Sequence, residues 1–292
     1  MTTAPTPRLG ITYVPYRPPE ELRELALAAD DSGLDELWVW EDCFKQSGVA
    51  AAGAALAWTR RIRIGIGLMP TPLRNVGLAA MEIATLERLF PGRLIPGIGH
   101  GVQDWMGQAG VRASSPLTLL REYATALRRL LAGEEVTTEG RYVRLDRVRL
   151  DWPPEAHVPL AIGADGPKSV AVAGELGDVF LLSAARSAEQ ITAARTVLDQ
   201  AAPGRRHEIV GALIASTGPG ARERVDAELA RWTPDGEPGF SAAGDAESVA
   251  AQLRRVAELG VTSVAIQPTA DEPDLLGLAR FLGTEVRPLL GG

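Results

Sequence analysis

Residues 93–105, RLIPGIGHGVQDW, run from an apolar stretch into glycines on both sides of His100, then into polar residues and Trp105. A histidine in such a place titrates near neutrality and can donate, accept or transfer a proton. The plainer alternative is a ring hydrogen-bonded to a loop carbonyl. Gly97, Gly99 and Gly101 resemble part of a dinucleotide fingerprint, but the third glycine comes too soon. Val102 to Trp105 do not read as a helix start, so a Rossmann turn is excluded. A second stretch, GADGPKS at 163–169, carries an apolar run into glycines and then a helix beginning at Pro167. Free N–H groups at a helix start can hold a phosphate, and Lys168 adds charge; the alternative is an ordinary turn.

Other chemistries lack their residues. His157 and His207 precede apolar runs instead of following them, and no cluster of histidines and carboxylates has metal-ligand spacing, so no metal is expected. Lys45 and Lys168 are the only lysines and both read as loop residues, which argues against Schiff-base catalysis. No GxSxG elbow or Walker loop occurs. A net charge of -7 disfavours nucleic acid and anionic membrane as partners, leaving a small molecule. Cys43 is the sole cysteine, so no internal disulfide forms. The start MTTAPTPRLG lacks a signal-peptide run and no later segment has bilayer-spanning length, so a cytoplasmic location is expected.

The elements that must position these residues alternate. Apolar runs at 8–14, 35–41, 61–69, 92–99, 158–163, 178–183, 207–216 and 261–269 read as strands. Helical stretches follow them, among them 46–59, 75–90, 116–132, 167–176, 187–201, 220–232 and 245–259. Residues 134–152 alternate with period two around Glu139-Gly140 and read as an inserted hairpin. TPDGEPGF, 233–240, reads as one loop. No linker divides the chain, so residues 1–292 are expected to form one α/β domain. Eight strand–helix units fit a (β/α)8 barrel, a TIM barrel, with a doubly wound sheet as the other reading. In a barrel the chemistry sits where strands end, and glycines and small polar residues dominate those ends, leaving room for a flat or phosphorylated ligand.

Strand two ending in WVWEDCF, then RIRIGIGLMPTPLRN, MEIATLERLFPGRLIPGIGHG, the hairpin ending in DWPP, and VPLAIGADGPKSVAVAGELGD together resemble the bacterial luciferase-like superfamily. The resemblance covers nearly the whole chain, and its most specific part is the block from ERLFPGR to the glycines around His100. It implies a TIM barrel that binds coenzyme F420, with FMN as the alternative, and two-electron redox chemistry on a small organic substrate. It further implies a non-prolyl cis peptide at a bulge, Gly67-Leu68, supporting the cofactor ring. Asp42 matches the acidic position beside that ring, His100-Gly101 the strand-four contact, and Gly163 to Gly166 the phosphate segment. The residues implied as catalytic are His100 and Asp42. Cofactor contacts are Asp42, Gly67, Leu68, Met69, His100, Gly101, Gly163, Ala164, Asp165, Gly166 and Ser183, with Cys43, Gln103 and Trp105 on the substrate side. Cys43 stands where many F420-dependent relatives have histidine, and Val102 where several have Trp or Glu; both departures leave the substrate class open. A barrel that binds a flavin without turnover, or a different phosphate-binding barrel enzyme, are the other readings. Luciferase-like barrels are commonly dimers, and the Ala-rich stretch VAAAGAALAW permits close helix packing, so a homodimer is expected.

Overall fold

The computed structural model describes residues 6–233 and 239–291. Apolar runs too short for helices form eight parallel strands: β1 (Arg8–Tyr13), β2 (Glu36–Val39), β3 (Arg63–Pro70), β4 (Leu94–Gly99), β7 (Ala161–Gly163), β8 (Val179–Leu181), β9 (Glu208–Ser216) and β11 (Ser263–Pro268). They pair in that order, and β11 returns to β1 through Arg8↔Ser263, closing the sheet into a TIM barrel. Their continuous apolar character follows from burial on both faces. The helices between them are α1 (Leu22–Asp31), α2 (Gly48–Trp58), α3 (Val76–Leu89), α4 (Gln103–Gln108), α5 (Pro116–Leu131), α6 (Pro167–Leu176), α7 (Ala188–Ala201), α8 (Ala221–Trp232), α9 (Ala246–Glu258) and α10 (Leu275–Phe281). The expected hairpin is present as antiparallel β5 (Val136–Glu139) and β6 (Arg144–Val148), shorter than 134–152.

Three details differ from the sequence reading. Val102 does cap a helix, the short α4, although residues 102–105 carry no helix-start signal. Lys168 stands in the first turn of α6 and not in a loop. A further strand, β10 (Ser241–Ala243), extends the outer end of β9 through Ser241↔Ile214. Its three small residues, Ser-Ala-Ala, carry no strand signature. The loop read at 233–240 falls mostly outside the described residues.

Strand parity sorts the apolar side chains into two layers. Leu9, Ile11, Leu37, Ile64 and Ile66 point outward beneath the helices. Trp38, Ile95, Ala161, Val179, Leu181, Val210 and Ala265 fill the barrel interior. Trp38 fits only because Gly65 is bare: a Cβ there would lie 2.3 Å from the indole. Below it the interior is closed by Glu36, which is fully buried. Its carboxylate accepts from Arg8 Nε at 2.8 Å, Trp38 Nε1 at 2.9 Å and Ser263 Oγ at 2.8 Å. A buried charge survives when it is paired and hydrogen-bonded in this way. On the same N-terminal face Asp178 holds Arg128, Arg205 and His157, and His207 Nε2 lies 2.8 Å from the Gly174 carbonyl. The barrel is therefore sealed at the bottom and open where the strands end. No helix among the described residues is long and apolar enough to cross a membrane.

Candidate active site at the barrel mouth

A cavity of about 750 Å³ opens at the C-terminal ends of the strands, with residues from five of the eight βα connections and from the strands of the barrel interior in its wall. Small-molecule pockets occupy about 300–1,000 Å³, so the cavity has the size of a site for an organic ligand. Trp38, Leu181, Val210 and Ala265 form its floor.

On the β3 side, the strand departs from regular register between Ile66 and Met69, and the Gly67-Leu68 peptide is cis. This irregularity turns Leu68 toward the cavity. Its side chain is seated between two bare backbones, since a Cβ on Gly99 or on Gly163 would lie 2.5 Å from Leu68 Cδ2. These two glycines thus make room for Leu68, a protein side chain, where the sequence reading left that room to a ligand. Gly101 has φ +69°, a left-handed turn that glycine adopts without strain.

His100 follows β4. Its Nε2 lies 2.8 Å from Ser169 Oγ, which ties the strand-four loop to the start of α6. Nδ1 is buried with no hydrogen-bond partner among the described residues. Burial holds the ring below the ordinary histidine pKa, outweighing the opposing pull of the Pro116 carbonyl and of Asp165. Burial thus favours the neutral form of the His100 ring.

Asp42 comes from the loop after β2, and burial pushes its carboxyl above the usual range, against the pull of Lys45 Nζ at 3.9 Å. Glu41 beside it fixes that loop: it accepts from Gly48 N at 2.7 Å and pairs with Arg74, which in turn reaches Glu82 at 3.1 Å. At the opposite wall, Gly163, Ala164, Asp165 and Gly166 lead into α6. Ser183 Oγ and Arg186 Nη2 each donate to Asp165 Oδ1 at 2.5 Å. A Cβ on Gly166 would meet no atom within 4 Å, so this backbone faces open space. At the start of α6 Pro167 has no N–H and the Ser169 N–H donates to the Gly166 carbonyl at 2.9 Å, which leaves the N–H groups of Gly166 and Lys168 to face a ligand.

Residues 2–232 match the sequence pattern of luciferase-like monooxygenases. The chain belongs to that family. A 5,10-methylenetetrahydromethanopterin reductase of Methanolobus tindarius is 32% identical over 176 residues, 60% of this chain and 53% of the relative. An F420-dependent glucose-6-phosphate dehydrogenase of Nakamurella multipartita is 31% identical over 182 residues, 58% and 53% of the two chains. The chain spans about half the length of the curated relatives it matches. An F420-dependent secondary alcohol dehydrogenase, solved with an F420–acetone adduct, superposes with TM-score 0.86 at 21% identity, covering 99% of this chain and all of that one. At that identity the likeness establishes the fold.

Within this luciferase-like barrel, Asp42, Gly67, Leu68, His100, Gly101, Gln103, Trp105, Gly163, Ala164, Asp165, Gly166 and Ser183 line one cavity. Met69 does not: strand alternation after Leu68 turns it outward into the layer beneath the helices, where it is 1% exposed. Cys43 is half-buried and lies outside this wall, next to Asp42, its thiol pushed up by burial and by the acidic Glu41 and Asp42. Asp104, between Gln103 and Trp105 in sequence, lies outside this wall and pairs with Arg112 at 2.9 Å. The sequence reading missed Thr12, Tyr16, Trp40, Lys45, Ser169 and Trp232, all in the wall. Tyr16 and Trp40 follow strands one and two, so their position at strand ends was a usable signal. Trp232 ends a helix, where nothing local marks it.

Proposed function

We propose that this luciferase-like barrel is a coenzyme F420-dependent oxidoreductase that moves a hydride to or from a small organic substrate. The observation that carries the reading is the division of one cavity. Leu68, Asp42 and His100 line one part of its wall, and the open backbone at Gly166 leads to a helix start in another. A molecule with a flat ring and a phosphate-bearing tail fits that division. The relatives named above for F420 support the same choice. F420, when bound, supplies a ring carbon that accepts or gives a hydride.

The chain's own groups do the rest. Leu68, wedged between Gly99 and Gly163, presents a fixed apolar surface to a ring. Asp42, with its raised pKa, exchanges a proton with a neighbouring group near neutral pH more readily than an exposed aspartate does. Neutral His100 accepts or donates a hydrogen bond without carrying charge, and its tie to Ser169 sets the height of α6. N–H groups at the start of α6 hold the tail's phosphate. Closure of the bottom by Glu36 leaves the mouth as the route for substrate.

The test is a spectroscopic titration of the purified protein with F420 and with FMN. Saturable F420 binding at least tenfold tighter than FMN is expected. Equal or tighter FMN binding would replace this reading by an FMN-dependent monooxygenase. Binding of F420 with no bleaching of its absorbance by any hydride donor would point to a barrel that binds without turnover.

A further inference from the structure

The cavity wall is not uniform. The glycine loop with Asp165 follows β7, and Ser183 follows β8, the fifth and sixth strands around the barrel. Tyr16 and Trp40 come from the first and second, on the far side of the mouth, and Trp232 reaches the same cavity from the end of α8. Trp40 and Trp232 meet edge to face, ring centres 5.7 Å apart at 72°. Only 5% of the chain is aromatic, yet four of its six tryptophans, Trp38, Trp40, Trp105 and Trp232, line this one cavity. Composition does not account for that concentration, and core packing accounts for Trp38 and in part for Trp232, which packs against the cluster of Ile214, Val225 and Leu229, but for neither Trp40 nor Trp105.

Charge on this aromatic side is already neutralised. Lys45 Nζ lies 4.0 Å from the centre of the Tyr16 ring and 3.9 Å from Asp42. The Arg231 guanidinium lies 5.3 Å from the same ring and pairs with Glu228 at 3.2 Å. Each cation has a carboxylate and an aromatic face as neighbours, the cation–π arrangement. A phosphorylated or polyanionic substrate would have to break these pairs and would find no unpaired cation among the described residues in this part of the wall.

We infer that the substrate side of the cavity, bounded by Tyr16, Trp40 and Trp232, takes a neutral, ring-bearing molecule and not a sugar phosphate. The inference rests on the proposed F420 reading for which end of the cavity is left to substrate. Contact with the Trp40 and Trp232 rings, with Tyr16 and its cations at the border and water expelled, supplies the affinity. Relatives named for glucose 6-phosphate thus share the barrel with this chain but not the substrate end.

The experiment is calorimetric titration of the F420-loaded protein with 2-acetylnaphthalene, cyclohexanone and glucose 6-phosphate, repeated on Trp232→Ala, Trp232→Phe and Tyr16→Ala. The aromatic ketone is expected to bind at least tenfold tighter than cyclohexanone, and glucose 6-phosphate weakest. Trp232→Ala should lose about tenfold for the ketone, the scale of one aromatic contact; Trp232→Phe should stay within about threefold of wild type. F420 affinity, measured separately on each variant, should not move, which also reports that each variant is folded. Glucose 6-phosphate binding as tightly as the ketone overturns the inference, and so does undiminished ketone affinity in both Trp232→Ala and Tyr16→Ala. If the ketone binds the cofactor-free protein but F420 does not bind at all, the cofactor reading fails and the aromatic site stands. If F420 binds and the ketone does not, the reverse holds.

Discussion

Gly166 and Lys168 stand two residues apart at one helix start and separate two ways of holding an anion. Gly166 has φ -78° and ψ 146°, a conformation valine adopts freely, and its Cβ would meet no protein atom. A substitution there leaves the fold alone and is felt only by a ligand lying on the backbone. Lys168 is exposed, so its charge is screened and its side chain mobile. Several short hydrogen bonds from N–H groups to an anion are individually strong. Gly166→Val is therefore expected to lower F420 affinity at least tenfold, and Lys168→Ala less than threefold, by fluorescence titration. Unchanged affinity in Gly166→Val would remove the α6 start from the phosphate site. The same loop shows that a glycine is not evidence of a ligand by itself. Gly99 and Gly163 are bare because Leu68 occupies the space, whereas a Cβ on Gly166 would meet no protein atom.

Strand β3 and strand β2 meet through Gly65 and Trp38, and this contact sets the cavity floor. An alanine at 65 would put its methyl carbon 2.3 Å from the indole, inside a barrel with no slack. Overpacking of this kind costs about 1–3 kcal/mol. Gly65→Ala is expected to lower stability by about 2 kcal/mol in urea unfolding, and Trp38→Leu in the same chain to recover part of that loss, because the two sites are in contact and do not add. A Gly65→Ala protein as stable as wild type would show that Trp38 can move aside. In that case the floor is not fixed by this packing. Strand β3 also explains Met69: one step of alternation past Leu68 separates a cavity side chain from a core one.

At the scale of the whole molecule, the outer surface carries an apolar face that the barrel does not cover. Helix α2, GVAAAGAALAW, is apolar all round, though only Gly48, Ala52, Ala55 and Leu56 are buried. On α3, Leu78, Met81 and Leu89 are 47%, 59% and 64% exposed. A helix apolar on every side is normally covered on every side, and contiguous exposed apolar surface marks an interaction site. A second copy of the chain is the proposed cover. Light scattering at about ten micromolar is expected to give twice 31.0 kDa for wild type, and the single-chain mass for Met81→Lys with Leu78→Glu. A wild-type mass of one chain would refute the dimer.

The order of elements is legible in the amino-acid sequence by itself, because strand and helix are decided by local periodicity and by glycine and proline at their ends. Eight apolar runs separated by helical stretches leave few arrangements other than a closed parallel sheet, and strand ends then name one face as the site. Asp42, Leu68, His100 and the 163–166 loop follow from those strand ends. Contacts that join distant parts of the chain do not. Ser169 meets His100 across 69 residues, and Trp232 enters the cavity from the far end of a helix. Nor does local pattern separate Leu68 from Met69 or place Cys43, since which face a side chain takes depends on register after the β3 irregularity. The three residues of β10 become a strand only because β9 extends past the barrel to pair with them. Local sequence determines what an element is; packing against partners distant in sequence determines which of its side chains share a cavity.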